Sequence, residues 1–212
     1  MEFRHIPVLL YESINGLNID PNGIYVDGTM GGAGHSLEIL KKLSNKGQLI
    51  GIDRDMEALK ASQEKLKDYA NVKYVNDNHD NIKKILEKLE IETVDGILLD
   101  LGVSSYQIDV AARGFSYMQE GELDMRMDKS QSLTAKEVVN TYKEEELARI
   151  IFEYGEENHS RKIAKAICEA RSKASINTTK ELADIVKKAI YSKKDMHPEK
   201  RTCQRYKNRS KQ

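Results

Sequence analysis

Apolar residues fall along this chain in two rhythms. Up to Asp100, short apolar runs alternate with longer stretches where apolar side chains recur at helical spacing. The runs are Ile24–Asp27, Gln48–Ile52, Val72–Val75 and Val94–Asp100. Their length and their Ile and Val content read as strands. The stretches between them, 36–44, 55–68 and 79–90, read as amphipathic helices. Such alternation predicts an α/β unit with a parallel sheet and right-handed crossovers. Val94-Asp-Gly-Ile-Leu-Leu-Asp100 is apolar almost throughout, which predicts a strand buried on both faces and ending in a carboxylate.

After Asp100 the rhythm changes. Residues 101–131 show little periodicity and hold Gly102, Gly114 and Gly121. An ordered loop of that length is more often functional than not. Beyond it only helical spacing remains. Thr134-x-x-Glu137, Thr141-x-x-Glu144 and Thr178-x-x-Glu181 each read as a capping box that opens a helix. Ile163, Ala164 and Ile167 share one face, as do Leu182, Ile185, Val186 and Ala189. The organisation expected is 1–106, an α/β ligand-binding part; 107–192, a loop and a helical unit; and 193–212, a tail. The tail has eight Lys/Arg against Asp195 and Glu199 and almost no apolar content. It reads as a solvated, disordered end, with a nucleic-acid arm as the alternative.

Composition narrows the class without naming a ligand. Lys+Arg and Asp+Glu are both 34 in 212 residues, so total charge carries no polyanion signal, although a local basic face would suffice for RNA. Two cysteines, Cys168 and Cys203, make neither a disulfide framework nor a metal cluster. No metal is expected, and Cys168 reads as a small core residue. No long apolar segment and no leader pattern are visible, so a soluble cytoplasmic protein away from membranes is expected.

The candidate chemistry begins at Asp27-Gly-Thr-Met-Gly-Gly-Ala-Gly-His-Ser36. This glycine-rich turn lies between a strand and a helix, where a ligand can press against bare backbone and the first amides of the helix. Asp53 follows at the tip of the second strand, where an acid holds the ribose of a nucleotide-type ligand. A dinucleotide fingerprint would need a small residue at Leu37, and a phosphate loop would need Gly-Lys-Ser/Thr where Gly34-His35-Ser36 stands. No Lys or Arg lies from Asp27 to Ser36. That suits a ligand with a positive centre, such as S-adenosylmethionine, better than a phosphate-rich one. A turn that only packs a helix on a sheet is the plain alternative.

Asp100 and the loop Leu101-Gly-Val-Ser-Ser105 should lie beyond the carboxyl ends of the strands, beside the glycine turn. Methyl transfer from a sulfonium needs little acid–base chemistry, but it needs the acceptor lone pair held in line. Asp100 and Ser104 are therefore the catalytic candidates, by positioning an amine. Arg113-Gly-Phe-Ser-Tyr117 and Leu123-Asp-Met-Arg-Met127 interleave arginines with apolar and aromatic residues. Arg113, Phe115 and Arg126 are the candidate RNA contacts. The bland alternative is a loop that packs itself down.

These motifs carry a resemblance. His5-Ile-Pro-Val-Leu-Leu10, the 27–36 turn, Gly51-Ile-Asp-Arg-Asp55, Leu98-Leu-Asp-Leu-Gly-Val-Ser-Ser105, Arg113-Gly-Phe-Ser116, Leu123–Met127 and Tyr154-Gly-Glu-Glu157 resemble the bacterial 16S ribosomal RNA cytosine-N4 methyltransferase family. The likeness runs from about residue 5 to 202. It implies a Rossmann-like class I methyltransferase fold with a helical insertion, S-adenosylmethionine as cofactor, and 16S rRNA of the small ribosomal subunit as substrate. It implies further that Ala33, Gly34 and His35 meet the methionine half and Asp53 the ribose, with Gly31 also among the cofactor-binding residues. Asp100 would lie near the adenine or the methionine amine, and Gln107 would complete the pocket. The family often has an aromatic where His79 stands, and imidazole can also stack on adenine.

The likeness reaches His197-Pro-Glu-Lys-Arg-Thr202 and then stops, as it would for a shifted reading frame or a truncated gene. The expected sheet then lacks its C-terminal strands, with order 3-2-1-4 and 94–100 as an open edge. A chain of that kind should be unstable, aggregate, or form a homodimer through that edge. An inactive cofactor-binding fragment and a helical RNA-binding remnant are the alternatives to an active N4-methyltransferase.

Overall fold

The computed structural model describes residues 7–190. The chain divides into two compact units, residues 1–106 and 107–212. The first holds four parallel strands: β1 (Ile24–Asp27), β2 (Gln48–Asp53), β3 (Val72–Asn76) and β4 (Gly96–Leu98), in the order β3-β2-β1-β4. Asp27, the last residue of β1, pairs in register with Gly51 on one side and Leu98 on the other. Helices α1 (Leu10–Gly16), α2 (Gly34–Lys42), α3 (Met56–Lys65) and α4 (Ile82–Lys88) cover the sheet.

Side-chain alternation along the strands decides which helix goes where. Tyr25 and Leu49 point into one core with Leu10, Ile14, Ile39, Leu40 and Leu59, from α1, α2 and α3. Val26, Ile50 and Ile52 point into the other, against Ile85 of α4. The two central strands, β1 and β2, are thus apolar on both faces because both faces are covered.

The strand predictions for β1, β2 and β3 agree with the structure to within one residue. The last one needs correction. β4 spans Gly96–Leu98 rather than Val94–Asp100, and it is not buried on both faces: Ile97 and Leu99 are each 45% exposed. Among the described residues β1 is its one neighbour, so the side chains beyond it lack cover. Helix α1 has no counterpart in the sequence reading. It is a single short amphipathic piece whose Leu10 and Ile14, four apart, reach the core.

The second unit is helical. α5 (Ser105–Asp109) straddles the boundary, and a 3₁₀ turn follows at Ala111–Arg113. After an irregular stretch come α6 (Ala135–Thr141), α7 (Glu144–Glu153), α8 (Ser160–Arg171) and α9 (Thr179–Ala189). Their apolar faces meet in one core where Leu147, Ile150, Ile163, Ile167, Leu182 and Val186 are all fully buried. Each such side chain contributes roughly 1.5–3 kcal/mol relative to exposure. Cys168 is half-buried at the edge of this core rather than inside it.

Two of the three capping threonines do as their spacing implies. Thr178 and Glu181 form the full reciprocal box at α9, and the Thr134 hydroxyl accepts the Glu137 amide at α6. Thr141 does not start a helix. It ends α6, its hydroxyl donating to the Glu137 carbonyl at 2.7 Å. α7 begins three residues later, at Glu144, and the Glu146 carboxylate accepts the amide of its N-cap, Lys143. A threonine hydroxyl that turns back to the carbonyl four residues earlier is no longer available as a cap. The His5-Ile6 start of the first motif, the 193–212 tail, the His197–Thr202 phrase and Cys203 lie outside the described residues. Among the described residues no helix is long and apolar enough to cross a membrane.

Candidate functional site

The glycine turn leaves the sheet at its centre, between β2 and β4. The Gly28 amide donates to the Leu98 carbonyl at 2.9 Å and the Met30 amide to the Ile52 carbonyl at 3.0 Å, so the turn is tied to both neighbouring strands. It then reverses through two left-handed residues, Gly31 (φ 49°) and Ala33 (φ 54°), and Gly34 opens α2. Glycine at 34 has a steric reason too, since a methyl there would collide with the ring of Pro7.

Polar groups brace this turn from three directions. Asp27 is buried; its carboxylate accepts the Ser36 hydroxyl at 2.6 Å and the Thr29 amide at 3.2 Å. Burial pushes its carboxyl above the ordinary range, opposed by those two bonds and by His35. Asp53, at the end of β2, accepts the Gly31 amide at 2.7 Å on one oxygen and the Asp55 amide at 2.8 Å on the other. Burial pushes its carboxyl up as well, against the pull of both amides. From α3, the Ser62 hydroxyl donates to the Gly31 carbonyl at 2.7 Å and the Lys65 ammonium to the Gly32 carbonyl at 2.8 Å. The sequence window from Asp27 to Ser36 has no cation, but the fold brings one to its flank.

What remains open is a set of donors. Among the described residues, the amides of Gly32, Gly34, His35 and Ser36 find no acceptor. His35 is buried, and its Nε2 has no hydrogen-bond partner among the described residues. Its Nδ1 is 3.9 Å from an Asp100 carboxylate oxygen, too far for a hydrogen bond. A buried imidazole nitrogen and several helix-start amides left without partners are costly unless something else fills them.

Asp100, half exposed after β4, is fixed by its backbone: its amide donates to the Thr29 hydroxyl at 2.7 Å. Ser104 lies opposite Gly31, its Cβ 3.7 Å from where a methyl on that glycine would sit. His79 opens the 3₁₀ turn after β3, and its Cβ would be 3.3 Å from a methyl on Gly28. The first unit therefore gathers Gly31, Ala33, Gly34, His35, Asp53, His79, Asp100 and Ser104 at the carboxyl end of the sheet, around the point where strand order reverses. Asp27, Thr29, Ser36, Ser62 and Lys65 belong to the same cluster, and the sequence reading did not single them out as site residues. Asp27 was legible as a strand-end acid ahead of the turn. Ser62 and Lys65 were not, since they lie a whole crossover away.

Gln107, Arg113, Phe115 and Arg126 belong to the second unit. Gln107 is buried there. The guanidinium groups of both arginines bond within the chain. Arg113 is only 2% exposed and donates to the carbonyls of Arg126 and Met127 at 3.0 and 3.1 Å. Arg126 makes a two-point contact with the Asp124 carboxylate at 2.7 and 2.8 Å and donates to the carbonyls of Lys129 and Gln131. Phe115 packs against the helical core. These residues hold an irregular segment together through its own backbone, so the bland alternative describes them better. Among the described residues no group of three or more His, Cys, Asp or Glu could hold a metal ion.

The chain is 59% identical over 206 residues to the ribosomal RNA small subunit methyltransferase H of Clostridium botulinum (strain Kyoto / Type A2), covering 96% of this chain and 67% of that one. It is 55% identical over 208 residues to the protein of the same name from Clostridioides difficile (strain 630), with the same two coverages. The model of the MraW methylase family matches residues 2–207. Relatives and family model thus span the turn, Asp53 and Asp100 together, and the chain belongs to the MraW methylase family.

Proposed function

We propose that this chain is an S-adenosylmethionine-dependent methyltransferase that acts on the exocyclic N4 of a cytidine in 16S rRNA of the small ribosomal subunit. The observation that carries the reading is the braced turn with its unpartnered amides, facing an acid at the tip of the next strand. Family membership and the named relatives support the class of reaction.

The residues present fit the cofactor. When bound, its sulfonium supplies an already activated methyl group. The amides at the start of α2 and the His35 Nε2 can receive a carboxylate at the methionine end. Asp53 has acceptor capacity left on each oxygen after serving the Gly31 and Asp55 amides, which suits a pair of ribose hydroxyls. His79 can stack on a flat ring. Asp100 can accept an N–H of the target amine, drawing its lone pair out of the ring and holding it in line. Ser104, opposite Gly31, would help fix that amine. The target base would be presented splayed from RNA. A cytoplasmic site of action and a homodimer belong to the same proposal.

A second reading, cofactor binding without turnover, is favoured by the thin cover of β4, which leads directly to Asp100 and Ser104. One experiment separates the two. Small subunits lacking the modification are incubated with the chain and methyl-labelled S-adenosylmethionine, and the nucleosides are analysed. Label in N4-methylcytidine supports the enzyme. Cofactor binding without label supports the second reading, and absence of binding rejects both.

A further inference from the structure

The turn after β1 is gripped from α3 at two successive carbonyls, and this grip has a directional consequence. A trans peptide is planar, with its C=O and the next N–H pointing opposite ways. Ser62 is fully buried, and its hydroxyl holds the Gly31 carbonyl toward α3 at 2.7 Å. The Gly32 amide, in the same peptide, therefore points away from α3. It finds no acceptor among the described residues. Lys65 does the same one peptide on. It holds the Gly32 carbonyl at 2.8 Å, which turns the Ala33 amide back to the Met30 carbonyl at 2.7 Å. That second bond closes the turn through left-handed Ala33 and sets the start of α2. Asp53 fixes the third element, the Gly31 amide, at 2.7 Å. Glycine backbone without such restraints would sample many conformations.

We propose that Ser62 and Lys65 are positioning residues for S-adenosylmethionine: they orient the peptides of Gly31 and Gly32 so that the Gly32 amide and the first amides of α2 are presented to the ligand. The proposal rests on the cofactor reading above. Neither side chain touches the ligand in this scheme. They act through the backbone, by lowering the entropy that binding must otherwise remove.

The test uses the full chain and calorimetric titration with S-adenosylmethionine, paired with amide hydrogen exchange of the free protein. Ser62→Ala removes the hydroxyl without adding bulk and is expected to weaken binding about five- to tenfold, the effect of one buried hydrogen bond. Exchange at Gly32 and its neighbours should quicken while that of β1 and β2 stays unchanged. Lys65→Met keeps the stem and loses the donor, with an expected loss of about two- to fivefold at this more exposed position. Lys65→Arg should restore binding. Lys67→Met, on an exposed lysine paired with Glu64, serves as the control and should bind as wild type.

Wild-type affinity in both Ser62→Ala and Lys65→Met overturns the proposal and leaves the cofactor reading intact. A wild-type chain that does not bind S-adenosylmethionine overturns the cofactor reading and this proposal with it. If Ser62→Ala does not fold, the Lys65→Met and Lys65→Arg pair decides, because a merely structural loss would not be rescued by a second cation.

Discussion

Asp53→Asn separates two jobs that one carboxylate performs. In the wild type each oxygen accepts a backbone amide, Gly31 at 2.7 Å and Asp55 at 2.8 Å. An asparagine has one oxygen and one NH₂ in that place. One of the two backbone amides must then face a donor. The lost bond and the opposed donors cost about 1–3 kcal/mol for a buried pair, and the half-buried position puts the expectation near the lower end. Removal of a charge that burial disfavours offsets part of that. The free protein should lose about 1 kcal/mol, which for a unit of this size is roughly 4–8 °C in Tm. On the cofactor reading proposed above, affinity should fall much further, by at least about a hundredfold, because two charge-assisted bonds to ribose hydroxyls would be weakened as well. Titration calorimetry and thermal unfolding on the same samples give both numbers. Wild-type binding should weaken on the acid side, starting above the ordinary carboxylate value of 3.8, since the carboxyl is raised and its charged form is the binding form. The variant should lack that limb. An Asp53→Asn chain that binds within about threefold of wild type would refute the reasoning.

Other expectations follow from the second unit. Gly114 has φ 71°, and a methyl there would run into the Glu122 carbonyl, so Gly114→Ala should cost more than about 2 kcal/mol in chemical denaturation. Thr178→Ala removes one half of the α9 box and should cost about 0.5–2 kcal/mol by the same measurement, whereas Thr141→Ala, which caps nothing, should cost less. Burial pulls the Asp124 carboxyl up, but its bonds with Arg126 outweigh that and hold it below 3.8. Its contribution is therefore present above that value and lost as pH falls through the depressed one. Urea unfolding between about pH 2 and pH 5 should show this acid loss, and Asp124→Asn should flatten it. Asp27 and Asp53 have raised carboxyls and work with the opposite sign, gaining relative stability as they protonate.

How far the sequence spoke depended on how local the deciding physics was. β1 and β2 could be read because a strand covered on both faces is mostly apolar, and their Ile, Val and Leu content says so; β3, an edge strand whose side chains are only partly buried, showed itself through Val72, Tyr74 and Val75. β4 has a similar composition, and nothing in Val94–Asp100 records that β1 is its one neighbour among the described residues. Thr134 and Thr178 could be read as caps from residues three apart, while Thr141 failed because the same pattern fits a hydroxyl that turns back on its own helix. The glycine turn and Asp53 stood out by residue type and spacing. The carbonyl grip of Ser62 and Lys65 depends on where α3 comes to rest, which no local spacing encodes. The bonds of Arg113 and Arg126 to the chain's own carbonyls were not legible either, because interleaved arginines and aromatics look the same whatever the guanidinium meets.

Ala33 leaves a mark on how this protein would respond to selection. It is fully buried and left-handed, a conformation that costs an alanine about 1–2 kcal/mol and a glycine almost nothing. Glycine would return roughly 0.5–1 kcal/mol of that through the extra freedom of the unfolded chain. Losing the buried methyl would cost glycine about 0.8 kcal/mol more, so the two residues come out nearly level and a library screened for heat resistance alone should accept both. A library screened for ligand retention should keep the alanine, whose methyl narrows the range of shapes open to the turn. Position 33 is thus a place where two selections on the same gene would differ in what they keep.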